Sequence, residues 1–393
     1  MSATAKGLLF RAGTEGLALA DLDLDDPRPR EVIVRVHAAG ICHSDVHFME
    51  GRNAAQARGL YGLSLDHRMQ PGMCERRQEE AEASLLVMGH EPAGIVEAVG
   101  SAVTRLRPGD RVIGAGTSAC GACLQCVRGR PHLCLELPRR HPGEVPRLRS
   151  GGERVTQFAN LGAFAERMLV HETSLVRIGE DVPFASAAIL GCSIATGVGA
   201  ALNTARVAPG ASVAVFGAGG IGLSVVQGAR IAGASMIIVV DVTDAKLDRA
   251  VKFGATHTVN SAGTDPVAAV KDLTLGAGVE YSFDTTAVPA AAQASFDCLA
   301  LRGVLTCLAT PPADLRSIVG TERVVRGSTL GSTRIQDDLP RYLELYRQGR
   351  LLLDEMISLE LPPGGFTQAV SELAVGHVAR AVLRFDAGTA SAI

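Results

Sequence analysis

Hydrophobic positions in the first part of the chain, up to about Asp181, come in short runs of β type. Glu31–Val36 (EVIVRV), Gly94–Val99 (GIVEAV) and Arg111–Ile113 (RVI) are such runs, and turn signals such as Arg107-Pro-Gly-Asp110 separate them. This texture predicts a compact, mainly β domain. From about Ile194 the pattern changes, and apolar strands alternate with helical segments. A strand at Ser212–Phe216, a helix through Arg230, a strand at Met236–Val240 and a helix through Lys252 predict a parallel sheet with right-handed crossovers. Beyond about Gly331 the pattern is mixed again, with an amphipathic helix near Leu339–Gln348 and a final strand near Ala381–Phe385. This tail is expected to return to the first domain. The expected division is therefore 1–193 together with 332–393, and 194–331, in an α/β protein.

Length and composition agree with two domains of ordinary size. The chain has 393 residues, and its 47% hydrophobic content is ample for two cores. Net charge is −3 with no run of like charges, which argues against a nucleic-acid arm or a polybasic membrane patch and leaves small molecules as the expected partners. The N-terminal stretch lacks the apolar core of a secretory signal. Val182–Leu202 and Val207–Ala229 are uncharged but interrupted by glycines and a proline, and read as buried elements rather than membrane spans. A cytoplasmic protein is the expectation. In that compartment nine cysteines, some clustered, point to metal or catalysis before disulfides.

The segment SVAVFGAGGIG places Gly217, Gly219 and Gly222 in a G-x-G-x-x-G pattern between a strand and a helix. Gly217 would permit the tight turn and Gly219 the approach of a pyrophosphate. Gly222 would let helix pack on strand, and the free N–H groups of the helix start would face the phosphates, with Gly220 and Ile221 among the cofactor contacts. Asp241 ends the second strand, about twenty residues beyond Gly222, where a carboxylate accepts from an adenosine ribose diol and repels a 2′-phosphate. NAD is favoured over NADP.

Cys120, Cys123, Cys126 and Cys134 lie close enough in sequence to wrap one tetrahedral Zn²⁺, and a shell of four sulfurs leaves no place for substrate, so this is read as a structural site. A second set is spread along the chain. GICHSDVH (Gly40–His47) contributes Cys42, Gly89-His90-Glu91 a histidine beside a carboxylate, and Gly191-Cys192 a further cysteine. Two cysteines and a histidine give three zinc ligands with a fourth position open.

GICHSD, GHE, the four-cysteine loop, GCS followed by Thr196, and GAGGIG with its later aspartate occur in the order seen in zinc-dependent medium-chain alcohol dehydrogenases. The chain resembles that family over nearly its whole length, and most of all the branch with the class III and bacterial aryl or nicotinoprotein enzymes. The resemblance implies a GroES-like catalytic domain and a Rossmann domain with a doubly wound parallel sheet. It also implies two zincs per chain, with the catalytic zinc on Cys42, His90 and Cys192. Asp45 would orient His90, and Glu91 would lie behind the metal, an ion-pair role being its other reading. Ser44 would hydrogen-bond the substrate oxygen and His47 would pass its proton to water. His43 and Thr196 would contact the cofactor, Lys246 would lie near the adenosine ribose, and Arg380 would contact the pyrophosphate. A solvated surface residue is the competing reading of His43, His47, Lys246 and Arg380.

The reaction so implied is the interconversion of an alcohol and an aldehyde or ketone by hydride transfer with NAD, in a homodimer or homotetramer. A formaldehyde dehydrogenase acting on a thiol adduct (S-hydroxymethyl glutathione or mycothiol) and a non-catalytic zinc- and nucleotide-binding protein are the alternatives. One segment departs from the family: Arg52–Met88 is longer than the corresponding connection. A cap on the substrate channel, or an oligomer contact, is expected there.

Overall fold

The strand Glu31–Ile41 is the spine of the first unit. Val32, Val34, Val36, Ala38, Ala39 and Ile41 along it are fully buried, and it pairs antiparallel with Glu91–Val99, with Arg380–Arg384 and with Arg167–His171. β-branched side chains at successive inward positions suit such a pleated, covered surface. The resulting seven-stranded sheet runs in the order Leu175–Arg177, Arg111–Gly114, Glu91–Val99, Glu31–Ile41, Arg380–Arg384, Ile357–Leu361, with Arg167–His171 paired to the spine off that path. A closed barrel of Ala3–Arg11, Ala18–Leu24, Leu148–Ser150, Glu153–Gln157 and Leu85–Val87 completes the unit.

The computed structural model describes residues 3–11, 14, 16–50, 85–136, 147–376 and 378–385. The chain divides into 1–192 with 334–340 and 353–393, and 193–333 with 341–352. The segment 341–352, expected in the returning tail, thus groups with the second unit. Its helix runs Ile335–Arg347 and starts before Pro340. The helix thus begins before the expected Leu339 and carries Pro340 inside it.

The second unit is a six-stranded sheet, parallel throughout, in the order His257–Asn260, Met236–Asp241, Ser212–Phe216, Val279–Asp284, Leu299–Cys307, Val324–Gly327. Numbered by sequence this is 3-2-1-4-5-6, the doubly wound order that places a switch point beside the first strand. The helix Phe184–Ala205 is long and apolar enough to cross a membrane by length and composition, yet 83% of its most apolar window is buried inside the protein, as in a core helix.

Of the long Arg52–Met88 segment, residues 52–84 lie outside the described residues, and the expected cap or oligomer contact falls there. Its end is not an insertion: Leu85–Val87 is a barrel strand paired with Ala3–Arg11 and Glu153–Gln157, and Met88 is fully buried. The polar run before it concealed the strand.

Gly222 lies in the first turn of the helix Gly220–Ala232, and a Cβ there would collide with the carbonyl oxygen of Gly217. The obstacle is backbone and cannot rotate away. Gly222→Ala is therefore expected to destabilise the second unit by about 1–3 kcal/mol, measured as a lowered urea midpoint with unchanged slope.

Candidate active site

Strand register assembles the first cluster. Gly40 pairs with Glu91 and Ile41 with Ala381, so Cys42 follows directly on one strand, His90 directly precedes the next, and Arg380 opens the third. Cys192 arrives on the helix Phe184–Ala205, within a π turn at Leu190–Ile194. Such wide turns re-aim a side chain within an otherwise regular helix and recur at functional sites. One ligand atom each from Cys42, His90, Glu91 and Cys192 lies within 4.8 Å of all the others. Gly40 is required by this crowding, because a Cβ on it would collide with the Glu91 carboxylate.

Asp45 fixes the histidine. It is fully buried in the first turn of the helix His43–Met49, where its Oδ2 accepts from the Cys42 N–H at 3.0 Å and its Oδ1 lies 3.1 Å from His90 Nδ1. A carboxylate partner places the proton on Nδ1 and leaves Nε2 as the ligand atom. Burial opposes a charge on His90, but Asp45 and Cys42 outweigh it and raise its pKa well above the usual value. The two cysteines share their protons unequally. A hydrogen bond from Cys192 holds Cys42 well below the usual thiol range, despite burial, and Cys192 is pushed up by the same bond and by its own burial.

Glu91 and Arg380 form a buried ion pair, 0% and 3% exposed at the side chain. The two partners pull in different directions. Burial pushes the Glu91 carboxyl up to about 7 in spite of Arg380, whereas the charge of Glu91 keeps the guanidinium protonated against its own burial. The direct hydrogen bond from Arg380 Nη2 to Glu91 Oε2 decides for the charged pair, since a guanidinium does not give up its proton in a protein. Glu91 Oε1 is buried with no hydrogen-bond partner among the described residues. Two sulfurs, an imidazole nitrogen and a carboxylate oxygen, all within 4.8 Å of one another, fit a borderline-soft divalent cation such as zinc.

The second cluster is the cysteine lobe. Cys120, Cys123, Cys126 and Cys134 have their sulfurs within 4.8 Å of one another, with Cys120 to Cys126 at 4.0 Å and Cys123 to Cys134 at 3.9 Å. A tetrahedron with zinc–sulfur bonds of about 2.3 Å has edges of about 3.8 Å. Backbone N–H groups point at the sulfurs, that of Cys123 to Cys120 Sγ at 3.2 Å and that of Cys120 to Cys134 Sγ at 3.3 Å. The N–H groups of Cys126 and Leu135 hold Cys123 down at about 6, while burial pushes Cys134 up to about 12. The eight described cysteines are all free of disulfides.

In the second unit the glycine turn leads from the strand Ser212–Phe216 into the helix Gly220–Ala232, with Gly219 as its N-cap. Gly217 has φ +94°, and a Cβ on Gly219 would meet nothing within 4 Å, so the turn is open where a ligand would approach. Asp241 is already engaged. Its Oδ2 accepts from the Ala218 N–H at 2.8 Å and its Oδ1 from the Thr243 N–H at 3.1 Å, and each oxygen keeps a lone pair for a hydroxyl. Gly220 and Ile221 form the first helical residues, Lys246 is half-buried on the helix Asp244–Phe253, and Thr196 is buried in the helix that carries Cys192.

Ser44 Oγ lies 3.6 Å from Cys42 Sγ, and His43 and His47 have ring centroids 6.0 Å apart on the same short helix. Arg380, one reading of which was a solvated surface charge, is buried and paired with Glu91. Glu91 thus lies in the ligand cluster and also makes an ion pair. Neither the π turn under Cys192 nor the Asp45–Cys42 backbone bond was foreseen, although an aspartate three residues after a helix cap is a signal for the latter.

Residues 28–180 match the family model of the alcohol dehydrogenase GroES-like domain, and residues 220–348 that of the zinc-binding dehydrogenases. A Mycobacterium tuberculosis protein with the provisional name alcohol dehydrogenase D is 33% identical over 97% of this chain and 99% of its own. The chain belongs to the zinc-dependent medium-chain alcohol dehydrogenase family. Two solved structures share the fold of this family member. An alcohol dehydrogenase zinc-binding domain protein from Burkholderia ambifaria has a TM-score of 0.84 at 31% identity, covering 98% of this chain and 99% of that one. Benzyl alcohol dehydrogenase from Acinetobacter calcoaceticus has 0.83 at 28%, covering 97% and 99%. This zinc-type dehydrogenase is an alcohol oxidoreductase that uses zinc and a nicotinamide cofactor.

Removing one member of the buried pair strands the other. Arg380→Leu is expected to cost about 3–5 kcal/mol, and adding Glu91→Gln to recover part of it. Urea unfolding of wild type, both single variants and the double variant measures this coupling.

Proposed function

We propose that the protein is an NAD-dependent alcohol dehydrogenase of the cytoplasm, a homodimer or homotetramer, that interconverts a small-molecule alcohol and its aldehyde or ketone. The observation that carries this reading is the convergence of Cys42, His90 and Cys192 from three distant segments, with Asp45 holding the imidazole so that Nε2 is free to ligate. In this reading those three residues hold a catalytic zinc and the four-cysteine lobe a structural one. The bound metal would supply Lewis acidity toward the alcohol oxygen.

The chain's own residues do the rest. Ser44, beside Cys42, hydrogen-bonds the substrate hydroxyl and takes its proton. His47 lies three residues on, hence on the same helix face, and hands that proton toward solvent, while His43 and Thr196 meet the cofactor. Asp241, Lys246 and the turn Gly217–Gly222 hold the adenosine and pyrophosphate, and the carboxylate disfavours a 2′-phosphate. The Phe158 ring lies edge-on to His90 at 5.6 Å and packs on Phe48 at 5.0 Å, an apolar surround suited to an aromatic alcohol. The similarity to a benzyl alcohol dehydrogenase supports the same substrate class.

Protein purified without chelator is expected to contain two zincs per chain. Cys42→Ala should lose one zinc and all turnover, whereas Cys126→Ser should lose the other with a marked fall in Tm. Elemental analysis giving a single zinc in wild type would refute the two-site reading.

NADH production from benzyl alcohol should exceed NADPH production at least tenfold in kcat/KM, and should not depend on added glutathione or mycothiol. Preference for NADP would refute the role of Asp241, and activity only with a thiol would favour the adduct dehydrogenase.

A further inference from the structure

The glycine turn is gripped from below at more points than the fingerprint itself provides. The Gly217 N–H donates to Val240 O at 2.8 Å, and the Ala218 N–H donates to Asp241 Oδ2 at 2.8 Å. The third partner is Thr285, just beyond the end of the neighbouring strand Val279–Asp284. Its N–H donates to Phe216 O at 3.0 Å and its hydroxyl donates to the same oxygen at 2.9 Å, with Gly217 O at 3.4 Å.

A peptide unit is planar, so the carbonyl of one residue and the N–H of the next turn together. Phe216 O and the Gly217 N–H belong to one plane, Gly217 O and the Ala218 N–H to the next. Thr285 therefore engages the carbonyl end of both planes, while Val240 and Asp241 hold the N–H ends. Between the planes stands Gly217 at φ +94°, the residue with the greatest conformational freedom. A Cβ on Gly217 would lie 2.7 Å from Thr285 Oγ1, and one on Gly222 would lie 3.3 Å from it, so the hydroxyl is wedged between the first and third glycines of the pattern.

The segment that presents Thr285 is itself tied down. Asp284, fully buried, accepts at Oδ1 from the Thr286 hydroxyl at 2.7 Å and the Thr286 N–H at 3.2 Å, and Thr286 Oγ1 accepts from the Val288 N–H at 3.1 Å.

We propose that Thr285 is a positioning residue for the dinucleotide: its hydroxyl fixes the two peptide planes around Gly217 and so the direction in which the N–H groups of the turn and helix start meet the pyrophosphate. The inference rests on the nicotinamide-dinucleotide reading given above. Thr285 touches the turn, and the turn touches the ligand.

Thr285→Val keeps the shape and removes the hydroxyl; Thr285→Ser keeps the hydroxyl. NADH binding to the zinc-loaded protein is followed by fluorescence titration. Binding of ADP-ribose, which carries the pyrophosphate without nicotinamide, is followed by calorimetry. Thr285→Val is expected to raise both dissociation constants about three- to tenfold, the range for one modest hydrogen bond. Thr285→Ser should stay within about twofold of wild type in both titrations. Equal binding by wild type and Thr285→Val overturns the proposal, as does a loss confined to NADH. A Thr285→Ser variant as impaired as Thr285→Val, with Tm lowered in both, overturns it in favour of a purely structural role. Wild type that binds neither NADH nor NADPH overturns the cofactor reading itself, and this inference with it.

Discussion

Asp45 and Glu91 are both fully buried beside Cys42 and His90, and Arg380 supplies Glu91 with a counter-charge from within the chain. Charges removed from water must be paired or neutralised, and this requirement explains features that otherwise look unrelated: a glycine at position 40, an arginine opening a nearly buried strand, and a histidine clamped by an aspartate. The sheet exists in this register partly to bring those groups within reach. A slip of one residue along Glu31–Ile41 would turn Gly40 away from Glu91 and exchange the side chains that the strand presents to its two buried faces.

The second unit meets a different demand, that of a backbone turn held open and still. In the proposed reading Asp241 serves two ends there, since the carboxylate that would receive a ribose also fastens the Ala218 N–H. Exchanging it to alter cofactor choice would then also loosen the turn. The two properties are coupled through one side chain, which sets a physical limit on how independently they can be tuned.

Much of this was legible in the sequence where chemistry is local. The four cysteines of the lobe, the glycine pattern behind an apolar strand, and the alternation of strand and helix after Ile194 all depend on near neighbours in the chain. Long-range partners left no such trace. Nothing around Glu91 announces an arginine 289 residues away, and nothing around Thr285 announces that its hydroxyl ends up beneath Gly217. Element edges failed for the opposite reason, when a local signal was too strong. The polar run before Leu85 hid a barrel strand that pairs with Ala3–Arg11.

The late position of Arg380 has a consequence for how the protein comes into being. During synthesis Cys42, His90 and Cys192 leave the ribosome long before the strand Arg380–Arg384 does. Until then Glu91 has no guanidinium to pair with, and the sheet lacks the strand that lies beside Ile41. The nascent chain therefore carries its metal-seeking groups without the counter-charge that makes their burial favourable. Completion of the buried Glu91–Arg380 pair therefore waits for the strand Arg380–Arg384.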